Sequence, residues 1–322
     1  MQETLSCFAL HDGRAGNVRQ SEALAHWLGS AAPSSTLHTA VPWRWFAPRL
    51  LPGARTAFGN ALAAVPMNEP CVVIGCGRQA ALATRVLRSS TVRSVQILDP
   101  RIDARHWDLV VVPEHDPLRG DNVIVTQGSL NAIDDAWLQW HRTHAPEALR
   151  SAGPVCAIFI GGPTDDTSYS MEDVLAAIAR VRESSDGLMY ICASPRTPSN
   201  WFAALRGLPA DPRMRVWTSN AKSENPYAYL LAVATRIVCT PDSVNMLSES
   251  CATSVPVEYV PAPRMRGRVA RFITTLTDAQ RIRALGETST LHATPLRESK
   301  RVAEEISRRL GLAPRTGVAT PV

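Results

Sequence analysis

Residues 239–250, with the sequence CTPDSVNMLSES, combine residue types that suit a bound phosphate group. The β-branched run before them predicts a buried strand, and Asp242 and Ser243 are good N-caps for a helix over residues 244–251. The N–H groups and the dipole at the start of such a helix attract an anion. Glu249 lies further along this helix, where it can reach ribose hydroxyls while the helix start holds a diphosphate. An ordinary strand–helix junction with a surface glutamate is the alternative.

Strand-like and helix-like segments alternate along almost the whole chain. Short apolar runs predict strands at residues 5–10, 71–75, 92–98, 109–112, 123–126, 155–160, 188–192 and 215–217, within 234–240, and at 257–260. Helical patterns fall between them, at residues 18–28, 78–88, 134–144, 171–183, 199–205, 226–233, 244–251 and 264–276. This alternation favours parallel sheets with helices on both faces. We therefore predict an α/β protein of two Rossmann-like, doubly wound domains facing a cleft.

A break near Gly153 separates two such series of strands and helices. We expect an N-terminal domain over residues 1–152, which holds the acceptor of a transfer reaction if the chain is an enzyme. A C-terminal, nucleotide-sugar-binding domain is expected over residues 153–310. The last residues, 311–322, are expected to be a mobile tail.

Polar motifs follow the predicted strands at their carboxyl ends, where doubly wound domains bind ligands. In the first half, His11 and Asp12 follow the first strand, and Arg78 follows the second. In the second half, Gly161 and Arg196 occupy equivalent positions. A random scatter of Gly, Asp and Arg residues would not keep this register.

The composition argues against several classes of protein. At 322 residues and 45% hydrophobic content the chain can bury two cores, and no apolar run reaches the roughly 18 residues that span a bilayer. The formal charge of +5 comes mostly from arginine without an aromatic-interleaved basic stripe, so nucleic acid is not an expected partner. The N-terminus lacks a secretory signal and the seven cysteines lack zinc-site spacing, so we expect reduced thiols in a cytoplasmic protein.

Eight motifs occur in an order that resembles one known family: DGRAGNVRQ, GCGRQA, QILDPR, VVPEHD, IGGP, SPRTP, ENPY and TPDSVNMLSE. The family is the bacterial branch of the one named after a plant mitochondrial-fission factor (elongated mitochondria), whose plant member recruits a dynamin-related protein. The resemblance runs from about Asp12 to Val260. It implies a GT-B-like fold, and bacterial members look like glycosyltransferases, some of them encoded among genes for cell-surface polysaccharide.

The second half is also similar to nucleotide-sugar transferases that build peptidoglycan precursors. This similarity implies a donor site in which backbone N–H groups of Ser243, Val244 and Asn245 hold the diphosphate and Glu249 holds the ribose. The glycine-rich form of the turn is absent, because Pro241 and Asp242 occupy it. A carboxylate at Asp242 beside a diphosphate is unfavourable unless it caps the helix or contacts the sugar.

Three further residues complete the implied donor site. Arg196 is placed to pair with the donor phosphates. Gly161 and Gly162 would let a phosphate or sugar approach the backbone closely. The implied substrate is a nucleotide-diphosphate sugar, with no cofactor and no metal ion, since arginine and helix dipoles can neutralise the leaving group.

The implied base of the reaction lies in the first half. His11 and Asp12 are the first candidates, and His115 is the next, since an imidazole suits proton removal from an acceptor hydroxyl. A buried structural histidine is the alternative for His11. An Asx-turn before Gly13 is the alternative for Asp12.

Anionic acceptors would be bound by Arg14 and Arg78, with Gly16 in the same loop as Arg14. Surface salt bridges of little energy are the alternative for both arginines. We expect the segment Trp43-Arg-Trp45 to pack on its own domain. A loop that dips into a membrane is the alternative, which would place the protein peripherally on the inner face of the cytoplasmic membrane.

Three functions are therefore open at the level of sequence. The first is a glycosyltransferase that moves a sugar to a cell-envelope lipid or polysaccharide acceptor. The second is a non-catalytic recruiting protein that keeps the fold, and the third is a nucleotide-sugar epimerase of GT-B shape. Retention of Glu249, Arg196 and a polar strand end at His11 favours a working donor site.

Overall fold

The computed structural model describes residues 6–29 and 33–312, which form two compact units. The first unit contains the described residues up to Ala132 together with the segment that begins at Arg297. The second unit is Ile133–Leu296. Each unit is built on a parallel sheet with helices, which confirms the predicted fold class. Most of the predicted C-terminal tail, residues 313–322, lies outside the described residues.

Strands and helices alternate through the first unit. Within residues 6–29 and 33–132 the strands are β1 (Ser6–His11), β2 (Ser34–Thr36), β3 (Cys71–Cys76), β4 (Val92–Ile97), β5 (Leu109–Pro113) and β6 (Val123–Thr126). The helices there are α1 (Ala15–Trp27), α2 (Trp43–Phe46) and α3 (Arg78–Leu87), and 3₁₀ segments lie at Ala54–Leu62 and Ala104–His106. Strand β3 is buried along its whole length, as expected for a parallel strand covered on both faces.

The first sheet has the strand order β2-β1-β3-β4-β5-β6, and each adjacent pair is parallel. The chain runs from β1 outward to β2 and then returns to the other side of β1 as β3. The direction of winding therefore reverses between β1 and β3. Ligands of doubly wound sheets bind beyond the carboxyl ends of the two strands at such a reversal, which here are His11 and Cys76.

The second unit repeats the pattern with small additions. Within Ile133–Leu296 the helices are α4 (Asp135–His144), α5 (Glu147–Arg150), α6 (Met171–Glu183), α7 (Trp201–Arg206), α8 (Tyr227–Val233), α9 (Val244–Cys251) and α10 (Gly267–Asp278). The strands there are β7 (Val155–Ile160), β8 (Thr167–Ser168), β9 (Leu188–Ala193), β10 (Met214–Thr218), β11 (Arg236–Cys239), β12 (Val257–Tyr259), β13 (Arg264–Met265) and β14 (Ile282–Ala284). Strands β8 and β13 form a small antiparallel pair.

The second sheet has the strand order β10-β9-β7-β11-β12-β14, again with parallel neighbours. From β7 the chain winds outward through β9 to β10, and it then returns to the opposite side of β7 as β11. The reversal of winding lies between β7 and β11. The turns that follow these two strands begin at Gly161 and Thr240, which belong to the motifs singled out in the sequence.

The last helix, α11 (Ser299–Leu310), belongs to the first unit. Its apolar residues Val302, Ala303 and Ile306 are buried in the same cluster as Leu24 of α1. Its charged residues occupy the other face, where Glu305 pairs with two arginines. Sequence analysis did not predict this helix.

The limits of the two units differ from the predicted ranges of 1–152 and 153–310. Helix α4 precedes the predicted break at Gly153, yet it packs on α8 of the second unit. Apolar side chains of α4 and α5, including Leu138 and Leu149, are buried in the core of that unit. A break in the sequence pattern, such as the one near Gly153, therefore marks a loop. The limits of a unit depend instead on which apolar faces are buried together.

The short strands β2, β8, β13 and β14 were not predicted, because strands of two or three residues carry too little periodicity. Residues 257–260 were expected to close the second sheet, but β14 lies outside β12 at that edge. In the part of the chain that the structure describes, no helix is long and apolar enough to cross a bilayer.

A buried arginine fixes the carboxyl end of α9. The Arg281 guanidinium donates hydrogen bonds to the carbonyl oxygens of Cys251, Thr253 and Val255, at 3.0, 2.8 and 3.3 Å. Burial lowers the pKa of Arg281 from its usual value. A cation at this place also complements the negative end of the helix dipole.

We predict that Arg281→Met lowers the free energy of unfolding by about 3 kcal/mol, because three carbonyl oxygens lose their partner. Urea unfolding of the full chain, followed by far-UV circular dichroism, measures the change. The matched control is Arg264→Met, at an exposed arginine of β13, which should stay within about 0.5 kcal/mol of the natural chain. Equal effects of the two substitutions would contradict this role of Arg281.

Candidate functional site

The reversal point of the second sheet is organised around the carboxylate of Asp242. This residue follows β11, and its side chain is fully buried, although a carboxylate is costly to bury without partners. Oδ1 accepts hydrogen bonds from the hydroxyls of Tyr169 and Thr240, both at 2.6 Å. Oδ2 accepts from the Gly162 N–H at 3.1 Å and forms an ion pair with Arg196. The carboxylate is therefore satisfied within the protein.

Asp242 is not the N-cap of α9, which was one of the two roles that the sequence suggested for it. The N-cap of α9 is Ser243, whose hydroxyl accepts from the Met246 N–H at 3.3 Å. Asp242 instead joins the turn after β11 to the turn after β7. The hydroxyl of Thr240 extends this link, since it also accepts from the Gly161 N–H at 2.7 Å.

Gly161 and Gly162 leave space for the protein's own atoms. A Cβ on Gly161 would lie 2.1 Å from Asp242 Oδ2, and one on Gly162 would lie 2.1 Å from the carbonyl oxygen of Arg196. The sequence predicted that these glycines allow a close approach to the backbone. In the structure, the groups that approach are the Asp242 carboxylate and the Arg196 carbonyl oxygen. Any larger residue at either position would break up the turn.

Arg196 lies in the loop after β9, and this loop is tied to β7. The Thr197 hydroxyl donates to the carbonyl oxygen of Ile160, the last residue of β7, at 2.8 Å. About half of the Arg196 side chain is exposed (49%), whereas its partner Asp242 is at 0%. The guanidinium therefore has one edge on the buried carboxylate and another edge in solvent, where it can meet an anion.

Glu249 lies on α9 and is buried against an aromatic pair. The Tyr227 hydroxyl donates to Glu249 Oε2 at 2.6 Å, and the Tyr227 ring packs on Phe159 of β7 with ring centroids 4.6 Å apart. Tyr227 belongs to the ENPY motif, but sequence analysis did not select it. Val244 and Asn245, the first two residues of α9, lie in its first turn.

His11 ends β1 at the reversal point of the first sheet and is buried at 4% exposure. Its Nδ1 accepts a hydrogen bond from the Gly13 N–H at 3.2 Å, so the ring proton belongs on Nε2, which lies 2.9 Å from the Ser34 hydroxyl. Burial lowers the pKa of His11, and the charges of Glu22 and Asp12 oppose this only in part. The ring is therefore neutral, with both nitrogens engaged.

Asp12 forms the Asx-turn that was the alternative to catalysis. Its Oδ1 accepts from the Arg14 N–H at 3.2 Å and from the Asn17 side-chain amide at 2.9 Å. Asn17 also reaches the thiol of Cys76, so it connects the ends of β1 and β3. A Cβ on Gly77 would lie 2.6 Å from Asn17, which explains the glycine there.

The remaining candidates of the first unit are dispersed. His115 is buried in the loop after β5, and three strand spacings separate β5 from β1, or roughly 14 Å. Arg14 is exposed at 84% and lies 3.5 Å from Asp12. Gly16 is in the first turn of α1, and its carbonyl oxygen accepts from Gln20. Among the described residues, no three His, Cys, Asp or Glu side chains converge as a metal site.

Arg78 is directed at α2 and not at an empty pocket. Its guanidinium donates to the carbonyl oxygens of Arg44 and Trp45, at 3.2 and 3.5 Å. These carbonyls lie at the carboxyl end of α2, where a cation is favourable. The sequence had suggested an acceptor-binding role for this arginine.

Comparison with known sequences decides the family. The profile described as "Mitochondrial fission ELM1" matches residues 15–310. This chain belongs to that family. The resemblance predicted from the eight motifs is confirmed. The mitochondrial fission protein ELM1 of Arabidopsis thaliana is 29% identical over 289 residues, which cover 76% of this chain and 64% of the plant protein, so the chain spans less than two thirds of that relative.

Solved structures of nucleotide-sugar enzymes share the fold of this family member. The UDP-GlcNAc 2-epimerase from Neisseria meningitidis bound to UDP-GlcNAc is 11% identical, with a TM-score of 0.54 and coverage of 95% of this chain and 100% of that chain. CalG4, the calicheamicin glycosyltransferase, is 13% identical, with a TM-score of 0.52 and coverage of 98% and 100%. At identities this low, the comparison shows only that the fold is GT-B-like.

Sequence analysis missed most partners of the site in this ELM1-family chain. Tyr169 reaches Asp242 across 73 residues, and nothing in the local pattern signals such a contact. Thr240 and Tyr227 belong to the recognised motifs TPDSVNMLSE and ENPY, so both could have been predicted from the sequence. Burial raises the pKa of Tyr169, and the charge of Asp242 raises it further, so its hydroxyl remains a donor.

We predict that Asp242→Asn lowers the free energy of unfolding by about 3 kcal/mol, since an amide cannot replace all the accepted hydrogen bonds and leaves Arg196 without its partner. Asp278→Asn, at an exposed position of α10, is the matched control. Thermal and urea unfolding of both full-length variants measure the difference. If Asp242→Asn has the same free energy of unfolding as the natural chain, Asp242 is not the residue that holds these turns together.

We predict that His11 makes stability depend on pH in a defined window. Its folded-state pKa lies below the ordinary value of 6.5, so the unfolded chain binds more protons. Stability is full above the unfolded-state pKa and is lost as the pH falls through the folded-state pKa. Unfolding free energies at about pH 7.5 and about pH 5 should differ less in His11→Asn than in the natural chain. His38→Asn, at an exposed histidine, should leave the difference unchanged.

Proposed function

We propose that this protein is a glycosyltransferase that binds a nucleotide-diphosphate sugar at the reversal point of its second sheet and transfers the sugar to a cell-envelope acceptor. The observation that carries the proposal is that the Arg196–Asp242 pair lies directly before the start of α9, beyond the carboxyl ends of β7 and β11. This is the place where doubly wound sheets bind nucleotides. The GT-B-like fold is compatible with this substrate class.

The diphosphate would be held by the start of α9 and by Arg196. The N–H groups of Val244 and Asn245 stand at the positive end of the helix dipole. Arg196 keeps part of its guanidinium in solvent while Asp242 holds the rest. The buried carboxylate is thereby an orienting group for the arginine, and its charge is already balanced before a diphosphate arrives.

The nucleoside would be held by Glu249. A carboxylate accepts hydrogen bonds from vicinal ribose hydroxyls, and it does so best when its rotamer is fixed. The Tyr227 hydroxyl at 2.6 Å and the packing of Tyr227 on Phe159 provide that restraint. Ser243 contributes as N-cap by fixing where α9 begins.

The first unit would supply the acceptor-side residues and the base. Proton removal by His11 needs a free ring nitrogen, and Nδ1 has the lone pair once the Gly13 N–H is released. Asp12 and His115 are the other candidate bases, and Arg14, Gly16 and Arg78 the acceptor-side residues. For Arg78, binding an anionic acceptor would require release of the α2 carbonyls.

Two other functions have specific support. A nucleotide-sugar epimerase would use the same donor site, and one of the structures of shared fold is an epimerase. A recruiting protein without catalysis is supported by the plant relative, which is described as a mitochondrial fission protein. Nucleotide binding distinguishes the recruiting protein from the two enzymes, and turnover of the nucleotide sugar distinguishes the enzymes from each other.

We predict saturable binding of one nucleotide to the full chain in calorimetric titrations with UDP, GDP, CMP and dTDP. Glu249→Ala should weaken this binding by at least about tenfold, since the ribose loses a charged acceptor. Glu183→Ala, at an exposed glutamate of the same unit, is the matched control and should bind as the natural chain does. Equal affinity of Glu249→Ala and the natural chain would contradict the ribose assignment.

The corresponding nucleotide sugar then separates the three functions. Release of nucleoside diphosphate that requires an added acceptor identifies a transferase. Conversion of the sugar without an acceptor identifies an epimerase. Absence of nucleotide binding at about millimolar concentration supports the recruiting protein.

A further inference from the structure

A short segment of the first unit exposes an unusual concentration of large apolar side chains. Among the described residues, five large hydrophobic side chains are exposed, and four of them lie within residues 41–50: Val41 at 52%, Trp45 at 67%, Phe46 at 47% and Leu50 at 48%. Single exposed apolar residues are ordinary on a protein surface, but a cluster marks an interaction site. We name this cluster, together with the exposed arginines between its members, the tryptophan patch: Val41, Arg44, Trp45, Phe46, Arg49 and Leu50.

The tryptophan patch is held in place by contacts beneath it. The Trp43 indole N–H donates to the carbonyl oxygen of Pro52 at 3.0 Å, and Trp43 packs on the apolar core of the unit. Arg78 donates to the carbonyl oxygen of Arg44 at 3.2 Å, and Arg85 donates to that of Pro48 at 3.1 Å. Ala47 is buried. The exposed side chains therefore project from a braced segment, which lowers the entropy cost of binding through them.

The charged residues of the chain segment that carries the patch have one sign. Between Glu22 and Glu69 the sequence contains no Asp or Glu residue, whereas it contains Arg44, Arg49 and Arg55. All three arginines are exposed. The surface is thus apolar and basic at once, a combination that complements an interface of acyl chains and anionic headgroups.

We propose that the tryptophan patch binds the surface of a membrane that contains anionic lipids. Trp45 and Phe46 enter the headgroup region, where an indole is favoured, and Arg44 and Arg49 pair with lipid phosphates. Sequence analysis gave membrane insertion as the alternative for the Trp43-Arg-Trp45 segment, and the structure favours it for one of the two tryptophans. Trp43 packs on its own domain, whereas Trp45 is exposed. This inference is independent of the proposed transferase function.

A second copy of the chain fits the patch less well. In a two-fold symmetric dimer the same surface faces itself, so the arginines of one copy would approach those of the other. Such like-charge contacts oppose association when no acidic residue accompanies them. An anionic lipid surface satisfies the arginines and the apolar residues together.

Vesicle flotation of the full chain tests the proposal. Vesicles of phosphatidylcholine alone are compared with vesicles that also contain about 30 mol% phosphatidylglycerol. We expect binding to the mixed vesicles that weakens in high salt, and little binding to the neutral ones. The double variant Trp45→Ser/Phe46→Ser should lose at least about tenfold in partitioning. Its control is Trp140→Ser, at the exposed tryptophan of the second unit, which should bind normally.

A second pair of variants tests the charge. Arg44→Glu/Arg49→Glu should abolish the preference for anionic vesicles, whereas Lys222→Glu/Arg264→Glu, with the same net change at exposed positions elsewhere, should retain it. Far-UV circular dichroism confirms that each variant is folded. The proposal is overturned if the natural chain does not float with mixed vesicles or if the controls lose as much as the patch variants. It is also overturned if sedimentation shows that the patch variants only dissociate a dimer.

Discussion

The buried carboxylate of Asp242 is the constraint on which the second unit's site depends. One side chain accepts hydrogen bonds from two hydroxyls and one backbone N–H, and it pairs with Arg196. Its donors come from the turn after β7, from the residues around β8, from the loop after β9 and from its own turn after β11. Removing any one donor leaves a buried charge less well compensated, so these loops keep their positions together. This arrangement requires glycine at positions 161 and 162, because a Cβ there would overlap Asp242 or the Arg196 carbonyl oxygen.

The same network explains how the proposed diphosphate site could tolerate an aspartate. A free carboxylate beside the start of α9 would repel a diphosphate, whereas one that is already neutralised orients the arginine that meets it. In the first unit the equivalent place is organised differently. There Asp12 accepts from Asn17 and from the Arg14 N–H, while His11 is held by the Gly13 N–H and the Ser34 hydroxyl and is neutral. Each unit thus has one reversal of winding in a parallel sheet, and different polar side chains occupy the two reversal points.

The prediction of elements succeeded where segments are long and strongly patterned and failed where they are short. Strand β7, helix α6 and helix α9 were predicted with the bounds that the structure has, because buried runs and capping residues are local signals. Helix α11 was missed because its charged residues obscured the buried stripe that includes Val302 and Ile306. The unit boundary was placed at a glycine–proline break, whereas packing of α4 and α5 decided it.

The sequence by itself determined the fold class, the family and the strand-end positions of the candidate residues, since hydrophobic periodicity, turn residues and ordered motifs are all written locally. Only the tertiary structure decided what those residues touch. Tyr169 and Arg196 meet Asp242 from distant parts of the chain, Arg78 turns toward α2, and Trp45 stays in solvent while Trp43 does not. The physical reason is that hydrogen bonding and burial depend on which segments the sheet order brings together, and that order is a property of the whole chain.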